Sequence, residues 1–226
     1  MKSALICGAI VLSLNVASLR ADIVANGGFE QVQVTGLPLA DSTNLPGWTV
    51  TDSNAQTYTN VYLLGSGQNT FYAGDQSAYL NSDGQGLVSI SQTLTGLTAN
   101  QQYALTFALT TENAWTGDVG YLPAYGGGTG VTNPTSPNTT VAVTLGSQTL
   151  NFSPSHVGWN LETFLFTPHD SSISLTIADA TSSNFPFESP IVDSVFVSPT
   201  PEPGFYFVLA FGLAGLAFAV VRRRSA

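Results

Sequence analysis

The chain predicts an all-β fold, an antiparallel β-sandwich of two sheets, and three observations carry that expectation. Apolar residues recur at period two, turn-forming clusters separate the runs, and no useful window between the two chain ends holds a helical apolar stripe. Val88, Ile90 and Leu94 open the series. Tyr103, Leu105, Phe107 and Leu109 then place an apolar face on one strand, with Ala104, Thr106 and Ala108 between them. Val141, Val143 and Leu145 repeat the pattern, as do Ile173, Leu175 and Ile177. Residues 159–166 and 191–197 read as further strands, the second closed by Pro199, which cannot extend a central ladder. Asn81-Ser82-Asp83-Gly84 and Leu97-Thr98-Ala99-Asn100 supply turns. Short strands broken by such turns imply two packed sheets. Residues 22–198 are long enough for one domain with its own core, and no internal repeat is visible.

Both ends of the chain read as targeting segments. Lys2 followed by apolar residues Ala4 to Leu14 and small residues up to Ala21 has the order of a secretory signal peptide, residues 1–21, with Ala17 as an alternative cut. The only cysteine, Cys7, lies inside that segment, so the mature chain has no disulfide available. At the other end, residues 199–226 contain Pro201, Glu202 and Pro203, an uncharged stretch from Phe205 to Val221, then Arg222, Arg223 and Arg224. A helix over that stretch reaches about 25 Å at about 1.5 Å per residue, the short edge of a bilayer span. The arginines hold the cytoplasmic side and leave the domain outside. This order resembles the PEP-CTERM sorting signal. The resemblance implies an exosortase-type membrane enzyme as partner, a transmembrane helix used at least in transit, and an association with exopolysaccharide in the envelope or biofilm matrix. An uncleaved anchor is the alternative.

Charge narrows the partners. All five basic residues lie in the two ends, so Asp22 to Val221 carries 14 acidic residues and neither Lys nor Arg. Nucleic acid and anionic lipid surfaces are poor partners for such a domain. Its carboxylates must be solvated, hydrogen-bonded or bound to a cation, and hard oxygen ligands without competing ammonium groups are what calcium selects.

Several pieces occur in a fixed order: Val24-Ala25-Asn26-Gly27-Gly28-Phe29-Glu30, Pro46-Gly47-Trp48, Ser89 to Leu94, Tyr103 to Leu109, Gly158-Trp159 and Ile191-Val192-Asp193-Ser194-Val195. Together they resemble galactose-binding-like jelly rolls, which include many carbohydrate-binding modules and wall proteins with an Asn-Gly-x-Phe-Glu start. The resemblance covers most of residues 22–198. It implies a structural calcium held by Glu30 on an N-terminal strand, Asp193 in the last strand, the Gly28 carbonyl and Asp75. Ser194 stands where the family often has a second acid. The alternative for the pair is that Glu30 caps a turn and Asp193 accepts backbone donors.

For a ligand, the candidates are aromatics outside the strand pattern. Trp115, Tyr121 and Tyr125 lie in an irregular segment from Glu112 to Thr140, where ring faces suit sugar stacking and Glu112, Asn113 and Asp118 offer hydrogen bonds. Tyr58, Tyr62 and Tyr72 suit the same purpose. Trp48 and Trp159, in the Gly-Trp pieces, read as core. Catalysis has little to stand on: His156 and His169 look like turn residues, and no nucleophile elbow, zinc-helix or phosphate-loop motif is present. The expectation is therefore a non-catalytic exported module that binds polysaccharide. A purely structural or adhesive envelope protein is the alternative, and a glycoside hydrolase, which needs only two carboxylates, stands third.

Overall fold

The computed structural model describes residues 23–31, 40–41, 45–52, 60–64, 72–82, 88–111, 138–156, 158–182 and 189–201. Every regular element among them is a strand: β1 (Ala40–Asp41), β2 (Thr49–Asp52), β3 (Asn60–Leu64), β4 (Ser77–Asn81), β5 (Val88–Thr95), β6 (Tyr103–Thr111), β7 (Val141–Leu145), β8 (Gln148–Phe152), β9 (Asn160–Phe166), β10 (Ser172–Asp179) and β11 (Pro190–Pro199). They form a six-stranded sheet ordered β1-β3-β4-β11-β6-β9 and a five-stranded sheet ordered β2-β5-β10-β7-β8. All pairings are antiparallel. No helix among the described residues is long and apolar enough to cross a membrane. The expected signal peptide, the expected span from Phe205 to Val221, the arginine cluster, and Trp115, Tyr121 and Tyr125 lie outside the described residues.

The period-two runs are the inner faces. Leu105, Phe107 and Leu109 of β6 meet Val88, Ile90 and Leu94 of β5, Val141, Val143 and Leu145 of β7, Leu175 and Ile177 of β10, and Val192 and Val197 of β11 in one buried cluster. Each such side chain contributes about 1.5–3 kcal/mol by leaving water. Phe107 packs edge-on against Phe152 at 5.2 Å, and Tyr103 stacks on Phe166 at 5.7 Å. Trp48 is 7% exposed, in the core as expected.

Residues facing away from the core differ between the sheets. On the five-stranded sheet they are Ser89, Ser91 and Thr93 of β5, Ser174, Thr176 and Ala178 of β10, and Ala142 and Thr144 of β7, assigned by their cross-strand partners. Thr144 and Thr149 pair through their hydroxyls at 2.8 Å. On the corresponding face of the six-stranded sheet, exposed Leu161, Leu165 and Phe196 stand among Ala104, Thr106, Thr163 and Ser198.

The N-terminal segment is not the strand that the sequence suggested. Residues 23–31 form turns, because Asn26 and Phe29 sit at φ 50° and 61° and the Phe29 N–H donates to the Asn26 carbonyl at 3.1 Å. Asn26 organises the turn: its side-chain amide donates to the Pro46 carbonyl, its Oδ1 accepts from the Gln31 N–H, and its carbonyl accepts from the Trp48 indole. The turn docks on β11. A Cβ at Gly27 would lie 1.9 Å from the Val195 carbonyl oxygen, so only glycine lets the Gly27 carbonyl accept the Val195 N–H at 2.9 Å.

Candidate functional site

The outward face of the six-stranded sheet is read from the register of β11, β6 and β9. Asp193 pairs with Ala108 and Ala108 with Leu161, Phe196 pairs with Thr106 and Thr106 with Thr163, and Ser198 pairs with Ala104 and Ala104 with Leu165. Directly opposed residues share a face. Leu161, Leu165 and Phe196 are 61%, 54% and 48% exposed there. A register shift between Asp193 and Phe196 is a β-bulge, with Ser194 in the left-handed region at φ 51°. The bulge keeps both Asp193 and Phe196 on the outward face although they are three positions apart.

Asp193 is nevertheless fully buried, because residues 72–76 lie over it. Its Oδ2 accepts the backbone N–H of Tyr72 at 2.7 Å and of Ala73 at 3.0 Å, and its Oδ1 accepts the N–H of Ser194. Glu30 holds the other half of the same segment. Its Oε1 accepts the N–H of Asp75 at 2.7 Å and of Gln76 at 2.9 Å, while the Gln76 side-chain amide donates to the Phe29 carbonyl at 3.0 Å. Burial pushes the Asp193 carboxyl up to about 6, and the nearby Glu30 charge adds to the rise. The N–H donors of Ala73, Tyr72 and Ser194 oppose it.

The family resemblance implies calcium at this pair. The structure brings Glu30 and Asp193 together on residues 72–76, and Asp75 enters through its backbone N–H as an exposed residue. Gly28 is half-buried beside the docked turn. Oδ1 and Oδ2 of Asp193 and Oε1 of Glu30 all accept backbone amide protons. Among the described residues, no group of three or more His, Cys, Asp or Glu side chains is placed to hold a metal ion. Asp193 accepts backbone donors, as in the alternative reading, and Glu30 accepts them as well.

The segment held by the carboxylates presents an aromatic. Tyr72 is 48% exposed and meets Trp159 edge to face, with ring centroids 6.0 Å apart. Trp159 is therefore not core, as the sequence suggested. It is half-buried, just before β9, and takes its place in the outward series that continues to Leu161, Thr163 and Leu165. Asn160 sets this entry, accepting the N–H of Ser155 and donating to the carbonyls of His156 and Gly158. The two histidines lie in exposed bends, as expected of turn residues.

A second buried carboxyl lies at the end of β10. Asp179 accepts from the Ser82 hydroxyl and, at 2.8 Å, from the Thr181 N–H. Burial raises its pKa despite these donors.

Residues 22–198 match the family described as "Protein of unknown function (DUF642)". No curated protein matches the chain by sequence. Among solved structures, a proposed sugar binding protein from Bacteroides thetaiotaomicron VPI-5482 is similar at TM-score 0.52 and 11% identity, over 80% of this chain and 100% of that one. TmCBM61, solved with beta-1,4-galactotriose, is similar at TM-score 0.47 and 13% identity, over 80% and 99%. The enzymatically active domain of tailspike protein 4 from bacteriophage CBA120 is similar at TM-score 0.49 and 11% identity. That match covers 79% of this chain and only 21% of the tailspike chain. At such identities the likeness is one of fold.

Proposed function

This chain belongs to the DUF642 family, proteins of unknown function, and from that premise we propose that its sandwich is a non-catalytic module that binds polysaccharide at the cell surface or in the surrounding matrix. One observation carries the reading: exposed Tyr72 stands against half-buried Trp159 at the edge of an outward sheet face that also exposes Leu161, Leu165 and Phe196. Aromatic faces beside apolar side chains suit the C–H faces of sugar rings, and ring hydroxyls can remain in water. Trp115, Tyr121 and Tyr125, which lie outside the described residues, stay ligand candidates on their sequence alone. The similar structures named for sugar or carbohydrate binding agree with this reading.

Export is part of the proposal. A leader over residues 1–21 and the Pro-Glu-Pro, apolar span and arginine order of residues 201–226 support delivery through an exosortase-type system, with exopolysaccharide as the natural ligand class.

Affinity gel electrophoresis of the full chain tests the binding. Gels containing a neutral β-glucan, galactan, xylan or, as an acidic polymer, alginate should retard the protein in at least one case. Trp159→Ala should weaken that retardation about tenfold, a change of about 1.4 kcal/mol. No retardation in any gel would leave the structural or adhesive envelope protein as the better reading.

A further inference from the structure

We propose that Glu30 and Asp193 are positioning residues for the Tyr72–Trp159 pair, gripping the backbone of residues 72–76 directly, without a metal ion between them. The proposal rests on the saccharide reading and names the device that holds its aromatic surface.

Residues 72–75 are all exposed, so apolar packing of their side chains does little to fix this stretch. Its backbone is held instead. Of its five consecutive amides, those of Tyr72 and Ala73 go to one oxygen of Asp193, and those of Asp75 and Gln76 go to one oxygen of Glu30. Charged acceptors make these bonds stronger than neutral ones. Gly74, between the two pairs, has φ +74°, and a Cβ there would lie 2.2 Å from Glu30 Oε1. The missing side chain is what lets the carboxylate approach.

The two acceptors come from opposite ends of the domain, 45 and 121 residues away from their partners in sequence. Glu30 is set by the turn that Asn26 organises. Asp193 is set by the bulge, where the left-handed Ser194 turns its own N–H onto Oδ1. Both are thus also held by contacts outside residues 72–76. An exposed Tyr on an unrestrained segment loses rotamer and backbone freedom when it stacks on a ligand, whereas a Tyr held against Trp159 has already lost it. Calcium bound through Asp193 Oδ2 or Glu30 Oε1 would compete with the two amides that each of these oxygens accepts.

Hydrogen exchange at residues 72–76, read with and without EDTA and with added CaCl2, tests the grip in the absence of any glycan. The amides of Tyr72, Ala73, Asp75 and Gln76 should be protected despite their exposed residues, and neither EDTA nor calcium should change this. Glu30→Ala should speed exchange at Asp75 and Gln76 at least tenfold. Glu30→Gln should restore part of the protection, because its amide oxygen still accepts the two N–H groups. Glu30 is half-buried, so these variants spare the fully buried Asp193. Protection that appears only with calcium, or Glu30→Gln behaving like Glu30→Ala, overturns the proposal. Retention in the glycan gel separates positioning from general stability. Glu30→Ala should weaken it several-fold in the native background and not at all in Tyr72→Ala, whereas additive losses overturn the positioning role. If the wild-type chain is retained by no glycan while the exchange pattern holds, the saccharide reading fails and the grip stands.

Discussion

Along β5, β7 and β10 the side chains turned away from the core are Ser, Thr and Ala, while across β11, β6 and β9 the corresponding face exposes Phe196, Leu161 and Leu165 and leads to Tyr72 and Trp159. Both faces obey the same alternation and enclose one core. The difference lies in what each face offers a neighbour. Hydroxyls spaced along a pleat hydrogen-bond to water as well as to anything else, so the five-stranded face has little to gain from burial. Apolar and aromatic side chains gain by leaving water, and exposed patches of them mark interaction surfaces.

The largest expected effect concerns the carboxyls beneath this contrast. Asp193, on the outward side of the six-stranded sheet, has its pKa raised from 3.8 to about 6, and Asp179, at the end of β10, is raised as well. A folded-state pKa above the unfolded value means that the native state binds more protons through that window. Stability therefore falls as pH rises from about 4 to about 6, by on the order of 2–3 kcal/mol for Asp193. Thermal unfolding across that range should show the decline, and Asp193→Asn should flatten it more than Asp179→Asn does. A midpoint that climbs steadily from pH 4 to 6 in the wild type would contradict the assignment.

Next in size is binding. Trp159→Ala or Tyr72→Ala should weaken glycan retention about tenfold, while Ser91→Ala and Thr176→Ala on the opposite face leave it unchanged. Equal losses from both faces would erase the distinction. A smaller effect is expected from Leu161→Thr, Leu165→Thr and Phe196→Thr together, which give the apolar face the chemistry of the other. Retention should drop two- to fivefold, and each substitution should shift stability by no more than about 0.5 kcal/mol. A large fall in the melting midpoint would instead mean that the strip supports the fold. Smallest is Thr144→Ala, which removes the cross-strand hydroxyl pair. It should cost about 0.2–1 kcal/mol in denaturant unfolding and nothing in retention.

The sequence revealed strands where one face is buried and the other is wet. Tyr103 to Leu109 lies inside β6, Val141 to Leu145 is β7, and the run ending at Pro199 is β11. β4 escaped because Ser77, Ala78, Tyr79 and Leu80 are all buried, which leaves no alternation to read. β8 escaped for the opposite reason, being mostly exposed. The N-terminal strand failed because Asn26 and Phe29 take positive φ, a choice that depends on contacts with Pro46 and Trp48 some twenty residues away. At the site, sequence singled out Glu30 and Asp193, and the structure brings them to one segment. It could not reveal their shared amide partners on residues 72–76, which lie 45 to 121 positions distant. Trp159 was legible in principle. Its alternation with Leu161, Thr163 and Leu165 set it outward, and the Gly-Trp pattern argued the other way.

If the domain binds a polymer as proposed, its Ser and Thr face decides what that polymer presents outward. A copy attached through its aromatic face turns a sheet of hydroxyls toward the surroundings, much as a tile has one side for mortar and another for weather. A polymer coated in this way would stay wettable, and the coats of neighbouring strands, both acidic and both hydrated, would slide past one another rather than stick.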